Sequence, residues 1–354
     1  MKLRPLLKNA AAVLVGLLLL DGFCAWYYNP APYEYAEHRA TDVIREPGAL
    51  YAQAKEGLCD ARVDENGYND PAGIAQERIS VLFMGSSHAE GFNVPADDNA
   101  ARLLDGMLRA DGREGHVYNI AMSNHDLPRN AANLGRALEA FAPSDYVVIE
   151  TSEVYFSPGS VYGSMSDAIA RMSATEVPLE AISHRPLSKR LYKQWMDLLG
   201  KDEADIARVL AQLPLAQAEE GDPPAQIASD ANTALANYGA AIAEWMTQLR
   251  GTAEEAGVRL IICYHPRLTP QLDGNVTVAA SPEYLRAFSE ACEAAGVLFV
   301  DMSERFLQAY EAEHILPHGF ANTAMGQGHL NADGHRLVAE ALYDAIVEAE
   351  GGRA

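Results

Sequence analysis

Two short stretches of this chain carry residue types suited to nucleophilic catalysis, and they stand at opposite ends of the sequence. The first, Gly85-Ser86-Ser87-His88-Ala89-Glu90-Gly91, directly follows the apolar run Ile79-Ser-Val-Leu-Phe-Met84. In open parallel sheets a strand-to-helix turn of this kind places side chains over the ligand crevice. Ser87 could expose its hydroxyl there while backbone N–H groups of the turn face a developing oxyanion. An ordinary Gly-Ser turn capping a helix has the same letters. The second stretch, Gly328-His329-Leu-Asn331-Ala-Asp-Gly334-His335, immediately precedes an amphipathic pattern. A histidine fixed just ahead of a helix can accept a serine proton and return it to a leaving group. By itself this motif is better read as a surface or capping residue, and only its pairing with Ser87 reverses that balance.

Two other chemistries fail on physical grounds. A phosphate-binding loop would need a Gly-Lys-Ser/Thr ending, and the turn at 85–91 has no lysine. The nucleophile elbow of α/β-hydrolases needs a glycine where Ala89 stands, and several strands before its serine, none of which precede this turn.

The elements that must position the pair can be read from apolar periodicity. Candidate strands are Ile79 to Met84, His116 to Ala121, Asp145 to Thr151, Arg259 to Tyr264 and Val297 to Asp301, with helical patterns between them. That alternation predicts an α/β fold, a parallel sheet covered on both faces. Leu337, Val338, Ala341, Leu342, Ala345 and Ile346 form one apolar stripe, which predicts a C-terminal helix lying on the sheet. The stretch from about 152 to 222 has helical candidates and several prolines but no convincing strand, so it reads as a helical insertion or lid. Residues 29–76 are polar and turn-rich, and read as a stalk or covering arm.

At this point a family resemblance becomes specific. Gly85-x-Ser87-x-x-x-Gly91 looks like the first block of the SGNH/GDSL hydrolases, and His329-Leu-Asn331-x-x-Gly334 is similar to their last block. Tyr118-Asn119-Ile-Ala-Met-Ser123-Asn124 resembles the segment that lends a backbone N–H to the oxyanion hole. The stretch from Asp145 to Glu153 takes the place of the block that normally offers an asparagine. The resemblance covers about residues 77–350 and implies a flavodoxin-like three-layer fold of about five parallel strands. It implies Ser87 and His329 as catalytic residues, and it points to Gly85, Asn124, Thr151, Ser152 and Asn331 for oxyanion or substrate contacts. His265, at the crevice end of a predicted strand, joins them as a substrate-binding candidate, although such a histidine is also a common structural feature. Two departures matter. The family's acid normally lies three residues before the base, where this chain has Gly326. A Ser87–His329 dyad is therefore implied, its imidazole oriented by a backbone carbonyl or by a carboxylate from elsewhere. The asparagine block also lacks its asparagine, so Thr151, Ser152 or a water would have to supply that donor.

Composition narrows the partners. Among 354 residues, 49 acidic side chains face 27 basic ones, a formal charge of −22 that repels phosphate backbones and argues against nucleic acid. The four cysteines, Cys24, Cys59, Cys263 and Cys292, have no zinc spacing and read as inert thiols. No metal and no cofactor is expected. At the N-terminus Lys2, Arg4 and Lys8 precede the apolar run Ala10 to Leu20, and Trp26, Tyr27 and Tyr28 suit a membrane interface. Residues 1–28 are accordingly expected to be an uncleaved signal-anchor helix, with the N-terminus cytoplasmic and residues 77–350 outside the cell membrane. The resulting expectation is a serine esterase acting on O-acyl esters, an acylated cell-envelope or extracellular glycan being the substrate class. The same dyad could serve a glycan O-acyltransferase, and a non-catalytic glycan-binding or assembly protein on the same fold is the rival from another class.

Overall fold

The computed structural model describes residues 3–29, 31, 33–35, 40–70, 78–156, 225–271, 275–279 and 281–351. The insertion expected at about 152–222 falls almost wholly outside them. The chain begins with helix α1 (Leu3–Tyr27) and five short strands, β1 (Tyr28–Asn29), β2 (Tyr33–Tyr35), β3 (Val43–Arg45), β4 (Leu50–Gln53) and β5 (Cys59–Arg62). The body follows with β6 (Ile79–Met84), α2 (Ser87–Glu90), α3 (Ala100–Ala110), β7 (His116–Asn119), α4 (Leu127–Phe141) and β8 (Tyr146–Thr151). Beyond residue 224 come α5 (Ala225–Glu255), β9 (Arg259–Tyr264), the hairpin β10 (Arg267–Pro270) and β11 (Val276–Ala279), α6 (Pro282–Ala295), β12 (Leu298–Asp301), α7 (Ser303–Glu313) and α8 (Ala332–Gly351).

The five strands read from apolar runs form one sheet in the order β12-β9-β8-β6-β7, every neighbouring pair parallel. All six residues of β6 and all six of β8 are buried, as central strands covered on both faces must be. Alternation divides β6 between two cores. Leu82 and Met84 join Leu134 of α4, Trp245 and Met246 of α5 and Phe288 of α6 on one face. Val81 and Phe83 join Leu104 of α3, Phe306 of α7 and Leu337, Val338 and Leu342 of α8 on the other. This three-layer arrangement brings the C-terminal ends of β6 and β8 to one edge, where the chemistry lies.

Two N-terminal features depart from the sequence reading. Residues 3–27 are helical, and Leu14, Leu18, Leu19 and Phe23 are exposed. Among the described residues, however, no helix is long and apolar enough to cross a membrane, so the spanning anchor is not found. The physical reason is the brevity of the Ala10–Leu20 run, which Asp21 ends, against the roughly 20 apolar residues a span needs. The arm, in turn, has more order than its polar composition suggested. Strands β1, β4 and β5 make a small antiparallel sheet, β2 pairs with β3, and residues 40–70 lie against the body through buried polar contacts.

Candidate active site

The catalytic candidates arise from the two ends of the sheet's connectivity. Strand β6 runs into Gly85, where a Cβ would stand 2.6 Å from both Ala89 Cβ and a Glu150 carboxylate oxygen, so only glycine lets the chain turn there. Ser86 then caps α2, its hydroxyl accepting from His88 N at 3.2 Å. Ser87 opens that single turn, and Gly91, at φ 70°, closes it in the left-handed region that glycine tolerates. The amide of a first-turn residue has no intrahelical acceptor, so the Ser87 N–H remains free of the helix ladder.

His329 approaches from the loop before α8. Its Nε2 lies 2.9 Å from Ser87 Oγ. The loop is held by its own polar groups: Gly319 N donates to His329 O at 2.9 Å, and Asn331 Nδ2 donates to Leu316 O at 2.7 Å and Gly319 O at 3.0 Å. Asn331 Oδ1 in turn accepts from Gly334 N at the start of α8. The Asn331 side chain is thus engaged in shaping the loop and helix start.

The far nitrogen of His329 meets a residue that sequence reasoning did not single out. Glu56 Oε2 is 2.8 Å from His329 Nδ1, and Glu56 Oε1 accepts the His329 backbone N–H at 2.7 Å. Glu56 sits in the loop of the β4–β5 hairpin, in the arm. Burial pushes its carboxyl pKa up, but hydrogen bonds from the His329 ring and backbone, helped by Arg267, outweigh this and hold it below its ordinary value. A hairpin with a glycine in its loop is the only local signal at Glu56-Gly57, and nothing nearby announces a histidine 273 residues later.

A cavity of about 400 Å³ opens beside Ser87, lined by Ser86, His88, Asn124, His125, Asp126, Leu127 and residues 150–153. Asn124, Thr151 and Ser152 are therefore brought to Ser87. Asn124 holds a left-handed φ of 64°. The Thr151 hydroxyl donates to Glu153 O at 2.8 Å. Glu150, at the cavity floor, accepts from Ser86 N at 2.7 Å and from the Ser86 hydroxyl at 2.9 Å. Burial works against its charge, yet the His265 and Ser86 hydrogen bonds keep its pKa below the usual value.

His265 is fully buried, with Nε2 2.6 Å from Glu150 Oε1, and does not line the cavity. With His88 and His318 it places three ring nitrogens within 4.8 Å of one another, the described cluster with the right donors for a metal ion. The hydrogen bonds disagree with that use. His88 Nδ1 accepts the Leu330 N–H at 3.2 Å, so in neutral His88 the proton is on Nε2 and neither nitrogen offers a free lone pair. Burial holds His88 well below its ordinary pKa and His318 at about 2, so both stay neutral. The same cause leaves His335, whose Nδ1 accepts from Ala100 N, at about 3. Of the cysteines, Cys59, Cys263 and Cys292 are buried free thiols whose pKa burial pushes up.

What the fold and the site define is an α/β body with a hydrogen-bonded serine–histidine pair at the C-terminal edge of a parallel sheet. No family model matches the chain, and no curated protein does. Among solved structures it is similar to TesA, at 13% identity and a TM-score of 0.38 over 75% of this chain and 97% of that one. It is also similar to the psychrotrophic esterase EstA from Pseudoalteromonas sp., at 11% identity and 0.36 over 77% and 98%. A GDSL-like lipase from Bacteroides thetaiotaomicron matches at 10% and 0.34 over 76% and 88%. At such identities and TM-scores these likenesses carry no argument, and the site stands on its own geometry.

Proposed function

We propose that the protein is a serine esterase that cleaves O-acyl esters. The observation that carries this reading is the 2.9 Å contact between Ser87 Oγ and His329 Nε2, a nucleophile and base within reach of direct proton transfer. Ser87 Oγ attacks the acyl carbonyl carbon as its proton passes to His329 Nε2. The tetrahedral oxyanion is stabilised by the free Ser87 amide together with the Asn124 amide across the cavity. Collapse breaks the ester C–O bond, and the departing alcohol takes the proton from His329. Water, deprotonated by His329, then attacks the acyl-enzyme and releases the acid.

The cavity favours a polar alcohol, because Ser86, Asn124, Asp126, Ser152 and Glu153 line it with hydroxyls, an amide and carboxylates. An acylated carbohydrate of the cell envelope or extracellular space meets that description. The basic residues ahead of the apolar run in α1 support placing the body outside the cytoplasm. A C-terminal alkaline phosphatase fusion that stays inactive in cells would refute the export.

The test of the reaction needs no knowledge of the natural substrate. Wild-type protein should react with a fluorophosphonate probe at Ser87 and turn over p-nitrophenyl acetate. Ser87→Ala and His329→Ala should each lower kcat by roughly 10³-fold or more. Full turnover by both variants would show that Ser87 and His329 are not the catalytic pair, and a wild-type protein that neither takes the probe nor cleaves any acyl ester tried would return the molecule to the non-catalytic, glycan-binding class.

A further inference from the structure

We infer that Glu56, carried on the arm, is the acidic positioning residue of this site, so that the catalytic unit is Ser87–His329–Glu56 and is complete only when the β4–β5 hairpin is docked. This rests on the esterase reading above and names what holds its base.

The geometry is two-pronged. One carboxylate oxygen meets the His329 ring at 2.8 Å and the other takes the His329 backbone N–H at 2.7 Å, which fixes both the position of the loop and the rotation of the imidazole. An ionised carboxylate can only accept, so Nδ1 must carry the proton and Nε2 presents its lone pair to Ser87 Oγ. That is the tautomer a general base requires. The carboxylate also faces the imidazolium that forms when Ser87 gives up its proton.

The surroundings are shaped for this carboxylate. Gly328 adopts φ 78°, and a Cβ there would stand 2.0 Å from Glu56 Oε1, so the loop leaves this space to Glu56. Three hydrogen bonds from Asn322 staple the hairpin loop to the loop that carries His329: Gly57 N to Oδ1 at 3.0 Å, and Nδ2 to Ala54 O at 2.9 Å and to Gly57 O at 3.0 Å. On the other side Asn93 Nδ2 donates to Glu56 O at 2.9 Å and Asn93 O accepts from Leu58 N at 3.2 Å. Gly57 itself, at φ 73°, has no room for a side chain, since a Cβ would meet Asn93 O at 2.0 Å. At the position three residues before the base, Gly326 holds φ 80° with Leu268 O and Pro270 Cδ about 3 Å from where a Cβ would be. An aspartate there would be strained in backbone and crowded in space, so the acid has to arrive from another part of the chain.

The groups facing the His329 ring are Glu56 from the hairpin, His88 from α2 and His318 from the preceding loop, with Arg267 of β10 near enough to act on Glu56. Burial keeps His88 and His318 neutral. Glu56 is the anion in direct contact with the catalytic ring, and removing its charge destabilises the protonated ring.

The experiment compares Glu56→Gln, Glu56→Asp and Asn322→Ala with wild type in the full-length protein, reading kcat, KM and the pH dependence of kcat/KM on p-nitrophenyl acetate. Glu56→Gln should lower kcat by roughly 10²- to 10⁴-fold with KM changed little, and move the acid limb of the profile to lower pH. Glu56→Asp should restore part of kcat and the wild-type acid limb. A downfield proton resonance from the His329–Glu56 contact should appear in wild type and vanish in Glu56→Gln. Asn322→Ala, which leaves Glu56 in place but unstaples the hairpin, should lower kcat less and guards against a Glu56→Gln protein that fails to fold. If a folded Glu56→Gln retains kcat within about twofold and an unmoved acid limb while Ser87→Ala and His329→Ala are inactive, Glu56 is structural and the esterase reading survives alone. If the two alanine variants are themselves fully active, the underlying reading is what fails.

Discussion

The sheet-and-helix body and the arm of residues 40–70 meet in one catalytic unit, yet different forces organise them. The body is built on two large apolar clusters, one on each face of the five-stranded sheet. The arm has a small cluster of its own around Tyr51, Cys59 and Val63, stacked on Phe92 of the body, and adds Ala40, Ile44 and Tyr68 to one of the body's clusters. Beside these few apolar contacts, a set of buried polar pairs joins it to the body. Arg45 clasps Glu90 with two hydrogen bonds of 2.7 and 3.0 Å. Asp42 takes Arg129 at 2.6 Å and Asn133 at 2.9 Å, Asp70 accepts from Asn119 N at 3.0 Å, and Tyr118 donates its hydroxyl to Asp64. Apolar burial is non-directional and tolerant of detail, whereas each of these pairs works only with both partners in place. The body should therefore survive single substitutions that release the arm.

The largest effect expected is at Arg45. Its side chain and that of Glu90 are only 3% and 1% exposed, so Arg45→Met leaves a buried carboxylate with Ser123 as its main remaining donor. Breaking one side of such a pair costs about 3–5 kcal/mol. Urea unfolding should show that loss, and limited proteolysis should cut the arm before the body. A loss below about 1 kcal/mol would mean that the arm docks by its apolar cluster instead.

A second lever on the same contrast is pH. His116 of β7 stands between Asp105 of α3, at 3.1 Å, and Asp70 at the end of the arm, at 3.5 Å. Burial alone would lower its pKa, but the two carboxylates overcome this and raise it from 6.5 to about 9. Because the folded value is the higher one, this stabilisation is complete below pH 6.5 and disappears as the pH rises through 9. At about 1.4 kcal/mol per pKa unit the ceiling is about 3 kcal/mol, counted once although the same contact also holds Asp105 low. The urea midpoint should fall between these pH values in wild type and stay flat in His116→Gln. An equally steep fall in the variant would place the titrating group elsewhere.

The same contrast explains what the sequence made legible. The five sheet strands could be read because each is an apolar run of the right length, bounded by turn residues. The Ser87 turn and the His329 loop could be read because each carries its chemistry within eight residues, next to a strongly periodic element. Glu56 could not. A surface-like Lys-Glu-Gly turn looks identical whether its carboxylate meets solvent or a histidine 273 positions later, and the partner residues Asn93 and Asn322 are just as ordinary. Arg45 and Asp42 hide in a polar stretch for the same reason: long-range polar pairing leaves no periodicity. The membrane-spanning reading of residues 1–28 failed differently, by extending an 11-residue apolar run across Asp21 to reach a span's length.

The smallest expected effect separates positioning from chemistry at the edge of the cavity. Asp126 lines the cavity, yet it is also the N-cap of α4, its Oδ1 accepting from Arg129 N at 2.9 Å. That bond satisfies one of the amides a helix start leaves open, and the negative charge suits the positive end of the helix. Asp126→Ala should lower stability by about 1 kcal/mol, and Asp126→Asn should recover most of it because asparagine caps as well. The helix carries Arg129, which grips Asp42 of the arm, so a frayed first turn should also loosen the arm slightly and lower kcat through Glu56. If capping is the whole role, Asp126→Asn keeps the wild-type KM for a neutral ester such as p-nitrophenyl acetate and for a cationic one such as acetylcholine. A KM that rises for the cationic ester in both variants, with stability intact in Asp126→Asn, would show instead that this carboxylate reads the alcohol side of the substrate.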